Sequence, residues 1–253
     1  MAWILIIASL SFLWILSLCK VFLLSRIPFA RHFTQNGKRN ALLVIAHPDD
    51  ESMFFTPTIN FLTSKGHNVR ILCLSIGDAD GKGNIRKQEL FQACVALKVP
   101  MQQVKIVNHP DLQDGFGKVW NHSLLAKIIE EEITSCCIDM IITFDNYGVS
   151  GHCNHRDVHY GVCKLLQRDI EVWELVSTNI LRKYSGPVDI WLSIFWAMLY
   201  SNGTMQCLVN EHSRRSLIAM AQHSSQWVWF RKLFVALSSY TYMNTLRKVK
   251  LQC

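Results

Sequence analysis

The chain has 253 residues, of which 50% are hydrophobic, and a formal net charge of +7 at pH 7. This is enough for one sizeable domain with an extension. Seven lysines and arginines follow residue 211 with no acid among them, so the preceding residues are neutral overall and offer no basic face for nucleic acid. The nine cysteines include no C-x-x-C pair, which argues against a zinc ribbon or a disulfide framework and indicates thiols kept reduced in the cytosol.

Residues 2–24 predict a transmembrane anchor. Ala2–Cys19 carries no charge, and four more apolar residues follow Lys20. About 20 apolar residues suffice to cross a bilayer, and a lysine near the end of the span can reach the head groups. A cleaved signal peptide is the alternative, but no basic residue precedes the run and no small-x-small cleavage site follows it.

Residues 25–40 form a predicted basic linker. It contains Arg26, Arg31, Lys38 and Arg39, whereas no lysine or arginine precedes the span. Basic flanks stay on the cytoplasmic side of a membrane. We therefore expect a single-pass membrane protein whose main domain faces the cytoplasm.

Residues 41–185 alternate between short apolar runs and longer amphipathic segments. The predicted strands are Ala41–Ala46, Val69–Ser75, Val104–Val107, Met140–Phe144 and Val172–Ser177. The predicted helices are Phe54–Lys65, Ile85–Leu97, Ser123–Cys136 and Asn154–Gln167. Strand then helix, repeated four times, predicts an α/β fold with a Rossmann-like, mostly parallel sheet flanked by helices. In a 3-2-1-4-5 order the first and fourth strands are neighbours.

Two polar segments follow those two strands. His47-Pro48-Asp49-Asp50-Glu51 comes after the first strand, and a glycine-rich turn with His152 and His155 comes after the fourth. Ligands bind such sheets at the carboxyl ends of the strands, where the strand order reverses. We therefore expect the two segments to meet in space, although about 100 residues separate them.

The side chains of these segments suit a hydrolytic metal site. His47, Asp50 and one of the two later histidines would give Zn²⁺ three ligands and leave the fourth position to water. Zinc lowers the pKa of that water to about 7, and Asp49 is the nearest base. The other histidine could polarise a carbonyl oxygen or protonate a leaving amine. Hydrolysis of an amide or ester is predicted. A non-haem Fe(II) oxygenase could use the same ligands but would leave Asp49 without a task.

Residues 186–253 depart from the strand–helix pattern. Ile190–Tyr200 is almost wholly apolar but too short to span a bilayer, and the residues from 212 onward combine basic and aromatic side chains. We predict a membrane-associated extension. Packing on the core as a terminal helix is the alternative that the pattern leaves open.

Taken together, Ala46-His47-Pro48-Asp49-Asp50-Glu51 and Gly151-His152-x-x-His155 resemble the motifs of the LmbE-like zinc deacetylase family, also described as the PIG-L superfamily. The N-terminal anchor, Gly148–His155, Asn179–Tyr184 and the aromatic-basic tail look like the branch that acts on N-acetylglucosaminyl-phosphatidylinositol. The resemblance implies zinc-dependent removal of the N-acetyl group from that glycolipid, the second step of glycosylphosphatidylinositol anchor biosynthesis. It also implies residence in the endoplasmic reticulum membrane.

The resemblance also implies a role for each motif residue. His47, Asp50 and His155 correspond to the zinc ligands. Asp49 corresponds to the general base, and His152 to the histidine that stabilises the tetrahedral intermediate.

Arg86 and Asp111 fall where the family has sugar-contacting residues, although Pro110 replaces the arginine often found before Asp111. Two other functions are compatible with the pattern: a tethered deacetylase of a different N-acetylglucosamine conjugate, and a non-catalytic membrane scaffold. The intact set of ligands and base argues against a scaffold, which has no use for an exposed carboxylate base.

Overall fold

The computed structural model describes residues 2–24, 37–166, 170–199 and 204–249. Arg26 and Arg31 of the predicted linker, and the last four residues of the tail, lie outside the described residues. The strands within them are β1 (Asn40–Ile45), β2 (Asn68–Cys73), β3 (Val104–Ile106), β4 (Met140–Phe144), β5 (Glu171–Leu175), β6 (Met205–Val209) and β7 (Met243–Lys248).

The helices are α1 (Ala2–Leu24), α2 (Asp50–Met53), α3 (Thr56–Ser64), α4 (Gly83–Ala96), α5 (His122–Cys136), α6 (Gly148–Gly151), α7 (Cys153–Cys163), α8 (Ile180–Lys183), α9 (Ile190–Leu199), α10 (Arg214–Gln222), α11 (Trp229–Leu237) and α12 (Ser239–Tyr242). Short 3-10 turns occur at Met101–Gln103, Gly186–Asp189 and Ser224–Gln226.

The seven described strands form one sheet in the order β3-β2-β1-β4-β5-β7-β6. β1 pairs in parallel with β2 and with β4, and β4 pairs in parallel with β5. The predicted α/β class and the 3-2-1-4-5 order are confirmed. The central strands β1 and β4 are buried almost throughout because helices cover both faces of a parallel sheet, which explains their continuous apolar runs.

The two strands that the sequence analysis did not predict come from the C-terminal segment. β7 pairs antiparallel with both β5 and β6, so it lies between them and extends the parallel part of the sheet. Asn244 of β7 joins this edge to the helices behind β1. Its Oδ1 accepts a 2.6 Å hydrogen bond from Thr58 Oγ1, and its Nδ2 donates to the Phe54 carbonyl at 2.8 Å. The segment thus belongs in part to the same folded body.

Within the described residues, α1 is the one helix long and apolar enough to cross a membrane. The stretch is Trp3–Val21, with a mean hydropathy of 2.3 and 11% of it buried. Its C-terminal half lies against the turn before α9. Trp191 Nε1 donates to Ser17 Oγ at 3.0 Å, and the Lys20 ammonium lies 4.3 Å from the centre of the Trp191 ring.

Candidate active site

Three histidines converge at the carboxyl ends of β1 and β4. His47 follows β1, and His152 and His155 lie at the start of α7, which follows β4. The ring centroids of His47 and His152 are 4.9 Å apart, and those of His152 and His155 are 5.0 Å apart. One ligand atom from each imidazole lies within 4.8 Å of the other two, so these side chains could hold a metal ion. The predicted meeting of the two segments is therefore what the structure contains.

Asp50 lies beneath two of these imidazoles. Its Oδ1 is 3.2 Å from His155 Nε2, and its Oδ2 is 3.9 Å from His47 Nδ1. Oδ2 also accepts hydrogen bonds from the amides of Ala46 and His47, at 3.0 and 2.8 Å. Burial alone would raise the pKa of Asp50, but the charges and hydrogen bonds of His155 and His47 outweigh it and hold the pKa well below the usual range. The carboxylate is therefore ionised.

The other nitrogens of the two buried histidines are held by the protein. His155 Nδ1 lies 3.0 Å from the Gly148 carbonyl, and its ring stacks on Phe144 with centroids 4.2 Å apart. This approach requires glycine at position 148. The backbone has a positive φ of 66°, and a Cβ there would lie 2.7 Å from the His155 Cβ. A residue with a side chain would push His155 out of place.

His47 is held by two oxygens on its opposite side. Its Nε2 lies 3.1 Å from Asn154 Oδ1 and 3.1 Å from Asp114 Oδ1. Burial lowers the pKa of His47, but the hydrogen bond to Asp114 and the nearby carboxylates outweigh it, so the pKa is raised. The same contact, with that of Arg86, overcomes burial and lowers the pKa of Asp114 to about 2. Such partners fix the ring and leave Nδ1 directed towards Asp50.

His152 is half-buried and differs from the other two histidines. Its Nδ1 accepts a 3.3 Å hydrogen bond from the Asn154 amide, which caps α7. Burial, followed by the charges of His47 and His155, lowers the pKa of His152 to about 4. A neutral imidazole that accepts at Nδ1 carries its proton on Nε2. His152 is therefore a hydrogen-bond donor at the edge of the cluster.

Asp49 has a strained backbone. Its φ is 126°, a backbone conformation that residues other than glycine rarely adopt. Asp49 directly precedes α2. The carboxylate is almost fully buried and forms an ion pair with Arg231 of α11, while Arg86 Nη2 lies 3.6 Å away. The Asp49 amide donates to Glu51 Oε2 at 3.0 Å. Strain of this kind collects at functional sites.

Arg86, predicted to bind substrate, lies in the wall of this site. Nη1 donates to the Gly77 carbonyl at 2.7 Å and to Asp114 Oδ2 at 3.0 Å, and Nη2 donates to the Pro48 carbonyl at 2.9 Å. The guanidinium therefore ties three loops together beside Asp49.

Asp111, the other predicted substrate-binding residue, is not brought into the cluster. Its side chain is 73% exposed, and its Oδ2 lies 3.8 Å from His109 Nδ1. Asp114, three residues later, makes the contacts with His47 and Arg86. The sequence between β3 and α5 has no periodicity that would tell these two aspartates apart. The Pro110 departure from the family pattern is the only sequence signal that distinguishes them.

The C-terminal segment supplies residues that sequence reasoning missed. His223 Nε2 is 2.6 Å from Glu51 Oε1, and both side chains are completely buried. Burial would lower the pKa of His223, but the charge of Glu51 raises it above the usual value. Gln226 Nε2 donates to the Pro48 carbonyl at 3.1 Å, and Arg231 contacts Asp49. No local pattern links these residues to the His47 segment, which is more than 170 residues away.

Comparisons with known proteins agree with this geometry. A family model described as PIG-L, GlcNAc-PI de-N-acetylase, matches residues 42–166. A probable N-acetylglucosaminyl-phosphatidylinositol de-N-acetylase of Dictyostelium discoideum is 34% identical over 245 residues, covering 84% of this chain and 94% of the relative. The Bos taurus N-acetylglucosaminyl-phosphatidylinositol de-N-acetylase is 36% identical over 215 residues, covering 83% of each.

Among solved structures, the N,N'-diacetylchitobiose deacetylase from Pyrococcus horikoshii has the same fold. The TM-score is 0.60 at 15% identity, and the match covers 85% of this chain and 86% of the other. The sheet order, the convergent histidines and the two relatives above 30% identity lead to one assignment. The chain belongs to the PIG-L family of GlcNAc-PI de-N-acetylases and is an enzyme of the deacetylase class.

Proposed function

We propose that this enzyme hydrolyses the N-acetyl group of N-acetylglucosaminyl-phosphatidylinositol, giving glucosaminyl-phosphatidylinositol and acetate. The observation that carries the proposal is the convergence of His47 and His155 on Asp50, next to which the chain places Asp49. The names of the two relatives support the choice of substrate. In the cell this reaction would be the second step of glycosylphosphatidylinositol anchor biosynthesis.

The donor set fits zinc. His47 and His155 each have one ring nitrogen engaged with the protein and the other near Asp50, which is ionised. Two imidazoles and a carboxylate are a common ligand set for catalytic Zn²⁺. We assign the three ligand positions to these residues and leave His152 outside the set, because its proton lies on Nε2. Bound zinc would lower the pKa of a coordinated water and polarise the acetyl carbonyl.

Asp49 is the base in this proposal. Its carboxylate takes the proton of the attacking water as the water oxygen bonds to the acetyl carbon. When the carbon–nitrogen bond breaks, the same proton passes to the leaving amine, so acetate and a free glucosamine amine are formed. Arg86 and the strained backbone hold the carboxylate against the wall of the site. A carboxylate held in this way needs little reorientation during the reaction.

His152 is the oxyanion donor. The hydrogen bond from the Asn154 amide fixes the tautomer, and the lowered pKa keeps the ring neutral at physiological pH. Nε2–H can then donate to the carbonyl oxygen as negative charge develops on it. A donor fixed before the reaction contributes most when it faces the tetrahedral intermediate rather than the substrate.

A bilayer surface accounts for the apolar side chains that the described structure leaves in solvent near α1. The turn Gly186–Asp189 contacts α1 and α11 and leads directly into α9. Large apolar side chains are exposed on α8, α9 and α11, namely Ile180, Leu181, Leu192, Phe195, Trp229, Phe230 and Leu233. We propose that this face lies on the endoplasmic reticulum membrane that α1 crosses, with the catalytic domain on the cytoplasmic side.

Acetate release from the acetylated glycolipid by the full chain in detergent tests the proposal. We expect activity that a chelator abolishes and that added Zn²⁺ restores. His155→Ala should lose both bound zinc and activity, while the matched control His212→Ala, outside the cluster, should keep both. Normal zinc content in His155→Ala would contradict the ligand assignment. Equal activity on a water-soluble N-acetylglucosaminyl-inositol would instead favour a deacetylase of soluble conjugates.

A further inference from the structure

Arg231 is the one basic residue of the C-terminal segment that reaches Asp49 in the described structure. It lies in the first turn of α11, and its Nη1 donates to Asp49 Oδ2. Its side chain keeps 24% of its surface exposed, so the ion pair is open to solvent and to ligands. None of the reaction steps proposed above uses this residue.

Asp49 does not need a second arginine to hold it. Arg86 already lies beside the same oxygen, and its guanidinium is anchored by Gly77, Asp114 and Pro48 with only 11% of the side chain exposed. By contrast, the hydrogen-bond acceptors of Arg231 among the described residues are Asp49 and Gln226, the latter at 2.6 Å. Arg231 is therefore the more easily released of the two. In the resting enzyme its guanidinium occupies one oxygen of the Asp49 carboxylate.

The helix that carries Arg231 also has exposed apolar side chains. Trp229, Phe230 and Leu233 are half or more exposed, whereas Phe234 and Val235 on the other side of α11 are buried. Arg231 thus lies between the acetamide site at Asp49 and an apolar surface suited to lipid. An anion that links a polar sugar to acyl chains would fit this position.

The proposed substrate contains one such anion. Its sugar and inositol are neutral, and the phosphodiester that joins them to diacylglycerol carries the only permanent charge of the head group. Arginine binds phosphate oxygens through two parallel N–H donors, which a lysine cannot reproduce. The Arg231 guanidinium could therefore exchange its ion pair with Asp49 for one with the phosphodiester.

We propose that Arg231 is a specificity-determining residue that binds the substrate's phosphodiester and, in doing so, leaves Asp49 free to act as the base. This inference rests on the proposed function, since it concerns how the same site selects a phosphate-bearing substrate.

Three substrates separate the phosphate from the lipid: the intact glycolipid, its deacylated water-soluble phosphodiester, and phosphate-free N-acetylglucosaminyl-inositol. For Arg231→Gln we expect KM to rise roughly 10- to 100-fold on both phosphate-bearing substrates, as loss of a charge-assisted hydrogen bond requires. Any change in kcat/KM on the phosphate-free substrate should be at least about tenfold smaller than on the two phosphate-bearing substrates. Arg231→Lys should fall between wild type and Arg231→Gln.

Lys232→Gln is the matched control. It removes the same charge from the same helix, but the Lys232 ammonium lies over the Trp227 ring, 5.5 Å from its centre. We expect this variant to keep the wild-type KM on all three substrates. A KM increase equal to that of Arg231→Gln would overturn the proposal in favour of general surface charge.

Inhibition by glycerophosphoinositol, which has the phosphodiester but no acetamide, is a second measurement. Its inhibition constant should rise by the same factor in Arg231→Gln. The inference would be overturned if Arg231→Gln lowered kcat/KM equally on all three substrates, or if it left the kinetics on the glycolipid unchanged. Either result would leave the proposed function intact. If the wild-type enzyme released no acetate from the glycolipid, both would fail.

Discussion

Residues 40–166 and residues 204–249 both reach the active site, but their side chains act there in different ways. The first region supplies His47, Asp49, Asp50 and His155 from the segments that follow β1 and β4. The second supplies His223, Gln226 and Arg231. These side chains contact Glu51, the Pro48 carbonyl and Asp49, respectively. The proposed catalytic residues thus lie at the carboxyl ends of β1 and β4. The later segment stabilises the His47 segment and, in our proposal, selects the substrate. Variants in each region should therefore fail in different ways.

Asp49→Asn should have the largest effect. Removing a general base costs about 10²- to 10⁴-fold in rate, and the amide retains the size of the carboxylate. We expect zinc content to stay at the wild-type level, since Asp49 is not assigned as a ligand. Acetate release and metal analysis on the same preparation check both parts, and loss of zinc in this variant would contradict the division between base and ligands.

His223→Ala should reduce stability rather than chemistry. It leaves Glu51 buried without its partner, and breaking a buried pair in this way costs about 3–5 kcal/mol. Urea unfolding measures the free energy of unfolding. His212→Ala, at the surface turn before α10, serves as the control. A loss below 1 kcal/mol would show that the C-terminal segment does not brace the His47 loop.

The same pair predicts a pH dependence of stability. The pKa of His223 is raised in the folded protein, so its contribution is fully present below the ordinary histidine pKa of about 6.5 and is lost as the pH rises through the folded value. We expect the free energy of unfolding to decrease with rising pH in this window. In Glu51→Gln the decrease should be smaller. An unchanged slope in that variant would show that Glu51 is not the cause.

His152→Ala should lower kcat by about 10²- to 10³-fold, as loss of one oxyanion donor does elsewhere. Because His152 is left outside the ligand set, bound zinc should stay at the wild-type level. If the variant lost zinc together with activity, the three-histidine grouping would describe the metal site better than two histidines and Asp50.

Among the active-site variants, Asp114→Asn should have the smallest effect. Asp114 holds Nε2 of His47, and loss of such a partner typically costs 10- to 100-fold in metal affinity or activity. Asp111→Asn changes the same type of side chain three residues earlier, at an exposed position, and should alter activity less than about twofold. The opposite ranking would support the predicted role of Asp111 in substrate binding.

The sequence predicted the part of the fold whose signals are local. Five apolar runs correspond to β1–β5, and the rule that ligands bind at the switch point brought His47 and His155 together. Asp114 was missed because its loop has neither helical nor strand periodicity. β6, β7, His223 and Arg231 were missed for a different reason. The aromatic-basic composition of this segment suggested a membrane surface and gave no sign of two strands. Their place in the sheet depends on the pairing of β7 with β5, which is distant in sequence, and with β6.

The position of β7 has a consequence for synthesis of the chain. β7 lies between β5 and β6, so until residues 243–248 have left the ribosome β6 lacks the strand with which it pairs and β5 pairs with β4 alone. The loop with His47 is synthesised before Asn244, whose side chain reaches Thr58 and Phe54 only after β7 has been made. A nonsense or frameshift mutation after codon 155 and before codon 243 would therefore remove no proposed zinc ligand, yet the nascent polypeptide would have an open sheet edge and would be a candidate for quality-control degradation.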